Sequence, residues 1–265
     1  MSAHELTADA QLHVLRYGRA EVLGRLPWSS NATLLAEVHP DESATSDSDA
    51  SGGAHPRPRA DARPQNHPGS LSAVYKPRRG ERRLWDFPPG LDRREVAAYE
   101  LSVTLGWPIV PETVLRDDLP LGVGSLQRFV RFDPEEHYFS LYDDPAHHRV
   151  LRTICCFDLV SNQADRKGGH CLLGEDGRIW AVDNALAFHR DLKLRTVIWE
   201  FAGQPVPDPL LDDLCRLVEA GPPRSLDGLL AEDEQAALIQ RARNVVQAGV
   251  FPNDPTGHRY PWPPV

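Results

Sequence analysis

The sequence predicts a mixed α+β chain, with a strand-rich first half and a mainly helical second half that carries one small hairpin. Three observations predict it. Short apolar runs separated by turn residues dominate 21–131. One helix pattern interrupts them at 92–105. From about residue 144 the spacing becomes that of amphipathic helices, except at 171–182, where two short apolar runs flank a turn at 174–177.

Taken in order, 21–26 and 33–38 are apolar-rich and flank Pro27, Trp28, Ser29, Ser30 and Asn31, which reads as a hairpin with a polar tip. Residues 39–70 contain no Ile, Leu, Val, Met or aromatic residue and five prolines. Such a stretch cannot bury enough apolar surface to offset its ordering entropy, so it is expected to be a disordered insertion between two strands of one sheet. The next strand is 71–75. Asp92 is expected to cap a helix in a capping box with Glu95. Ala98, Leu101 and Leu105 then share one apolar face, and Gly106 and Pro108 stop it. Strands are expected at 113–116 and 125–131. In the following helix Val150, Ile154 and Phe157 share a face, with Leu151 and Cys155 beside it. A polar loop at 161–170 leads into the hairpin 171–173/179–182. Helices are expected at 193–201, 210–219 and 233–250. The tail after 251 has five prolines and is expected to run over the surface.

Composition removes several function classes. The 265 residues carry a formal net charge of −9, against the basic excess of a nucleic-acid coat protein. No apolar run approaches the roughly 20 residues of a membrane span. Residues 1–11 lack the basic start and apolar stretch of a secretory signal. A cytoplasmic protein is therefore expected, with Cys155, Cys156, Cys171 and Cys215 as reduced thiols. These four form no CxxC pair, which argues against structural zinc. Most of the excess among the 24 prolines lies in the insertion and the tail, which hold ten of them.

The chemistry gathers around two aspartates 18 residues apart, Asp165 on the loop after a helix and Asp183 at the end of the hairpin. Phosphoryl transfer uses such a pair, one carboxylate orienting the acceptor hydroxyl and the other holding the magnesium that bridges the phosphates of ATP. Upstream, Lys76 ends a strand and Glu95 lies on the next helix, the pairing by which kinases hold a cation on the α- and β-phosphates.

Five segments then occur in order: Val74-Tyr75-Lys76-Pro77, Arg94-Glu95-Val96-Ala97-Ala98-Tyr99, Gly124 to Val130, Asp165-Arg166, and Val182-Asp183-Asn184-Ala185-Leu186-Ala187-Phe188. The set resembles the phosphatidylinositol 3- and 4-kinase superfamily, above all type II phosphatidylinositol 4-kinases and a group of actinobacterial kinase-like relatives. The resemblance covers roughly 20–205 without the insertion. It implies a two-lobed, protein-kinase-like fold: a β-rich N-lobe (10–130, with the insertion at 39–70), a mainly helical C-lobe with a small catalytic hairpin (131–250), and a Pro-rich tail (251–265). It further implies ATP, with Mg²⁺ or Mn²⁺, bound in the cleft between the lobes. Ser29, Ser30 and Asn31 would cover the phosphates, Lys76 would contact them, and Glu95 would position Lys76. Gln127, Phe129 and Val130 would lie at the hinge, with backbone groups of Phe129 and Val130 on adenine. Asp165 would be the catalytic aspartate and Asp183 the metal ligand.

The chain departs from the family pattern at three places. His170 stands where a second metal-binding Asn is usual and would be the second metal ligand, although magnesium prefers oxygen ligands. Asp183-Asn184 is followed by Ala185, where Gly is usual, and Gln163 replaces an Asn two residues before Asp165. With both central carboxylates present, an active kinase acting on a hydroxyl acceptor is expected. A nucleotide-binding pseudokinase and nucleotidyl transfer on the same fold stay open. His189, Arg190, Lys193 and Arg195 follow Asp183 and suit an anionic acceptor. Inositol lipid or phosphate, protein and small metabolite stay open as acceptors. No polybasic run supports membrane contact.

Overall fold

The computed structural model describes residues 6–26, 32–40 and 69–265; the expected hairpin tip at 27–31 and most of the expected insertion, 41–68, lie outside them. The chain forms two compact units, Met1–Leu84 with Glu112–Phe129, and Trp85–Pro111 with Val130–Val265.

The first unit is a five-stranded antiparallel sheet in the order β1-β2-β3-β5-β4, with one helix, α1 (Ala8–Tyr17). The strands are β1 (Arg19–Arg25), β2 (Leu34–His39), β3 (Leu71–Pro77), β4 (Thr113–Arg116) and β5 (Gly124–Arg128). The fifth is shorter than the expected 125–131. Leu15, Val38, Ala73, Tyr75 and Leu126 form the core of this unit. The sequence reading did not include α1, which starts where the Thr7 hydroxyl accepts the Ala10 N–H at 3.3 Å. Arg116 fastens its far end to β4 by donating to Leu15 O (3.1 Å) and Gly18 O (2.6 Å). Along β3 the side chains alternate, so Ala73, Tyr75 and Pro77 are buried while Lys76 lies on the opposite face. Gly124 crosses Pro77 in register, and a Cβ there would come within 2.4 Å of Lys76 O. Only glycine lets the strand pass so close to the lysine.

The second unit is mainly helical: α2 (Leu91–Thr104), α3 (Tyr138–Tyr142), α4 (His148–Ser161), α5 (Asp208–Ala220) and α6 (Glu232–Ala248), with the hairpin β6 (Cys171–Leu173) and β7 (Ile179–Ala181). Its core includes Ala98, Leu101, Ile154, Phe157, Phe188, Phe201, Leu214 and Leu238. Among the described residues no helix is long and apolar enough to cross a membrane. Cys155, Cys156 and Cys171 are buried and all four cysteines are free; burial pushes the Cys156 and Cys171 thiols up to about 12.

Two local expectations fail. Helix α2 begins after Gly90, which is left-handed (φ 99°), and no side chain caps it. Asp92 lies inside the first turn and Glu95 is buried with a different partner, so there is no capping box. Residues 193–201 are not helical. Their backbone groups pair elsewhere: Arg195 N–H donates to Gln163 O at 2.9 Å, Arg195 O accepts from Arg166 N–H at 3.0 Å, and Val197 N–H donates to Arg166 O at 3.0 Å. Bonds to the polar loop displace the helical i to i−4 bonds.

Candidate active site

Helix α4 delivers the loop that carries Asp165. It ends at Asn162, a left-handed residue (φ 59°) whose N–H returns to Asp158 O. Asparagine tolerates that conformation. Its side chain then gathers a later segment: Nδ2 donates to His189 O (2.8 Å) and Asp191 O (2.7 Å), and Oδ1 accepts from Lys193 N–H (2.9 Å). Among the described residues three non-glycine residues have positive φ: Asn162, Asp183 (56°) and Phe188 (65°). Asn162 lies three residues before Asp165, and Phe188 five after Asp183, its N–H donating to Ser161 O at 2.6 Å. For Phe188 such a backbone is rare, and strain of this kind is kept where surrounding structure demands it.

Under the carboxylates lies a fully buried network. Arg166 and Asp158 have side chains of zero exposure. Arg166 Nε donates to Asp158 Oδ1 (3.1 Å) and Oδ2 (3.2 Å), and Nη2 donates to Oδ1 (2.9 Å). The remaining guanidinium groups reach the other aspartate's strand, Nη1 to Val182 O (2.7 Å) and Nη2 to Asn184 Oδ1 (2.6 Å). One side chain thus ties the residue after Asp165 to both neighbours of Asp183. Burial, the largest single influence, lowers the Arg166 pKa; the Asp158 carboxylate together with Cys171 and Asp183 outweighs it and holds it above the ordinary value. Burial acts on Asp158 the other way and raises it, against Arg166. The two shifts pull apart, since one favours the ion pair and the other opposes it. A guanidinium does not deprotonate in proteins, and it meets this carboxylate at three short distances, so the pair is charged. Thr196 Oγ1 completes the carboxylate's shell at 3.1 Å.

Asp165 sits above this network with its side chain about a third exposed. Burial pushes its carboxyl up to about 6; Lys167, 3.8 Å away, opposes the rise, and Asp183 adds to it. The two carboxylates therefore sense each other. Gln163 spans them: its Oε1 accepts Asp165 N–H at 3.2 Å, while Nε2 lies 3.4 Å from both Asp183 O and Asn184 Oδ1. Glu95 braces the same turn from α2, its Oε2 accepting the Asn184 N–H at 3.1 Å. Loop and hairpin are stitched further by Ala164 N–H to Leu186 O (2.7 Å) and Val182 N–H to His170 O (3.0 Å). The Pro-rich tail also reaches the loop. Pro264 O accepts Gly168 N–H at 2.7 Å, and Arg259 O accepts Thr196 N–H at 3.1 Å.

The Asp183 side chain is half exposed, and His170 Nε2 lies 3.5 Å from its Oδ2. His170 Nδ1 accepts the Lys167 N–H at 3.3 Å. A neutral ring in that state carries its proton on Nε2, the nitrogen facing Asp183; a metal at Nε2 would displace that proton. Among the described residues no three His, Cys, Asp or Glu side chains converge to hold a metal ion by themselves. Two neighbouring carboxylates suit magnesium, which takes one or two protein carboxylates and fills its remaining positions with phosphate and water oxygens.

The first unit holds Lys76, Gln127 and Phe129, and Val130 belongs to the second. Lys76 pairs in register with Ser125. Gln127 is buried, its Nε2 donating to Thr113 Oγ1 at 2.8 Å. The Phe129 N–H donates to Ser72 O at 2.9 Å. One junction between the two units falls between Phe129 and Val130. Ser29, Ser30 and Asn31 lie outside the described residues.

Sequence reading missed Asp158, Asn162, Arg166's buried role and Thr196. Asp158 did carry a signal, as the lone charge in the apolar run from Ile154 to Val160. Such a charge on a buried face needs a partner.

No family model matches the chain. A hydra Fam20 structure with sugar superposes with a TM-score of 0.50 at 13% identity, covering 94% of this chain and 92% of that one. The fold is therefore of the kinase-like α+β class, as expected, with a sheet-rich unit and a helical unit bearing the hairpin. The crystal structure of the Golgi casein kinase with Mn/ADP bound has a TM-score of 0.49 at 12% identity, over 94% of this chain and 80% of that one. In sequence, protein Rv2133c of Mycobacterium tuberculosis is 36% identical over 293 aligned positions, which span 96% of this chain and 95% of that protein. The chain belongs to the family of Rv2133c.

Proposed function

We propose that this chain is a phosphotransferase that moves the γ-phosphoryl group of ATP to a hydroxyl acceptor. The observation that carries the reading is the buried Asp158–Arg166–Asn184 network, which ties the loop of Asp165 to the turn of Asp183 on a kinase-like fold. The motif order resembling the phosphatidylinositol 3- and 4-kinase superfamily supports it independently.

Asp165 is assigned as the group that receives the acceptor's proton. With an acid constant near 6 it is mostly ionised at neutral pH, and a base poised near working pH is the efficient kind. The acceptor oxygen forms a bond to the γ-phosphorus as the bond from that phosphorus to the β,γ-bridging oxygen breaks. The acceptor proton passes to Asp165, and ADP leaves. Asp183 is assigned to hold Mg²⁺ or Mn²⁺, which when bound neutralises charge on the phosphates. His170 is assigned to orient Asp183 through Nε2–H, in place of the ligand role expected from its position. Glu95 is assigned to brace the turn at Asn184. Lys76, by its motif, is assigned to neutralise the nucleotide phosphates, and Phe129 and Val130 to the adenine.

The reading is tested by incubating the protein with γ-labelled ATP, Mg²⁺ or Mn²⁺, and host extract fractionated into lipid, protein and small metabolite. Label should enter one fraction with the wild type and none with Asp183→Asn. Label that enters equally with Asp183→Asn overturns the assignment. A product bearing the adenylyl group would favour nucleotidyl transfer instead.

A further inference from the structure

A cavity of about 820 Å³ opens within the second unit, bounded by 85–90, the first turn of α2, 189–193 and 228–234. Neither Asp165 nor Asp183 lines it. Most of its charges are matched within the wall. Lys193 meets Asp86 at 3.5 Å, Arg190 meets Asp233 at 2.9 Å, and Arg94 pairs with Glu234.

Among the described residues two of its side chains have no such ion-pair partner: Asp191, mostly exposed with His189 Nδ1 at 3.8 Å, and Arg93. Its Nε is buried and has no hydrogen-bond partner. The guanidinium lies against Gly90, where a Cβ would come within 2.7 Å of Nη2 and 2.9 Å of Nε. Glycine at 90 leaves the space that the guanidinium occupies. A guanidinium stays charged, and a buried donor left unmatched is costly. Its natural complement is a planar or tetrahedral oxyanion. A second wall is aromatic: Trp85 is 95% exposed, and Phe87 packs under the Arg94 guanidinium at 5.1 Å and beside the His189 ring at 5.2 Å. A large exposed tryptophan at the rim of a cavity offers a flat apolar surface for a ring. The volume falls within the range of small-molecule sites.

We propose that this cavity binds a small ring-bearing organic anion, its carboxylate or phosphate on Arg93 and its ring on Trp85. The proposal goes beyond phosphoryl transfer and does not require it, because binding is read without turnover. The same wall is joined to the Asp165 loop, since Asn162 holds the backbone of His189, Asp191 and Lys193.

The test is titration of the full chain with phenyl phosphate, benzoate and inorganic phosphate, followed by calorimetry and thermal shift. At least one ring anion should bind the wild type about tenfold or more tighter than inorganic phosphate, and the better of the two tells which oxyanion the site takes. Losing a charge-assisted hydrogen bond should make Arg93→Gln weaker by about tenfold or more. Trp85→Ala should weaken binding several-fold; its side chain is exposed, so this variant keeps the fold. Absence of binding by both ring anions overturns the proposal. So does binding to both variants at wild-type strength, or inorganic phosphate binding as tightly as the ring anions.

Discussion

Asp158→Asn is the perturbation that reports most directly on how the site is held. The change keeps the shape of the side chain and removes its charge. Arg166, whose side chain has zero exposure, would then keep only Val182 O, Asn184 Oδ1 and an amide oxygen as acceptors. Breaking a buried pair by removing one partner costs about 3–5 kcal/mol, because the other charge stays buried without compensation. For a chain of this size each kcal/mol moves the midpoint by about 2–4 °C, so the melting temperature should fall by roughly 6–20 °C. Urea and thermal unfolding followed by circular dichroism measure it. A loss below about 1 kcal/mol would refute the reasoning, since the two carbonyl acceptors would then suffice for the guanidinium. The double variant Asp158→Leu/Arg166→Met sharpens the point. With both charges gone, most of the stability should return. Phosphoryl transfer should not, because nothing then ties the Asp165 loop to Val182 and Asn184. A double variant as unstable as Asp158→Asn would show that the unpaired charge was not the cost.

Three further outcomes are expected. The folded-state acid constant of Asp165, about 6, lies above its ordinary 3.8, so its ionisation costs stability that is absent near pH 4 and fully felt above pH 6. Asp165→Asn should therefore stabilise the protein at pH 7 by roughly 1–2 kcal/mol after solvent screening and lose that gain near pH 4, as read by denaturant titrations at both values. In the wild type, kcat/KM for phosphoryl transfer should rise through an apparent pKa of about 6; a flat profile between pH 5 and 7 would remove Asp165 from the role of base. Truncation after Gly257 removes the acceptors Arg259 O and Pro264 O, so hydrogen exchange at Thr196 and Gly168 should quicken, with a stability loss of about 1 kcal/mol per bond; unchanged exchange at both would show that the tail does not hold the loop.

Much of this was legible in the sequence because period and punctuation are local. The short apolar run at 71–75 marked β3, and Ile154 and Phe157 placed the apolar side of α4. The failures share a cause. Asp92 and Glu95 match a capping box at the right spacing, but Asn184, distant in sequence, claims Glu95. Residues 193–201 suggest a helix until the backbone of 163–166 takes their hydrogen bonds. The aspartate pair was named from its place on a loop and a hairpin end, and its chemical role rests on the proposed function. Asp158, Asn162 and Thr196 were not named, because their roles are set by partners 8 to 38 residues away. The metal role expected for His170 came from its position, and the Lys167 N–H at Nδ1 leaves Nε2 as the nitrogen that faces Asp183.

The central claim is that Asp165 takes the acceptor's proton in transfer from ATP. It is tested most directly by following label transfer from γ-labelled ATP with wild type and Asp165→Asn side by side, with the ATP-induced thermal shift of each as the binding control. The account predicts that both proteins are stabilised by ATP and that transfer falls by at least about a hundredfold in the variant. Transfer at the wild-type rate by Asp165→Asn would contradict it.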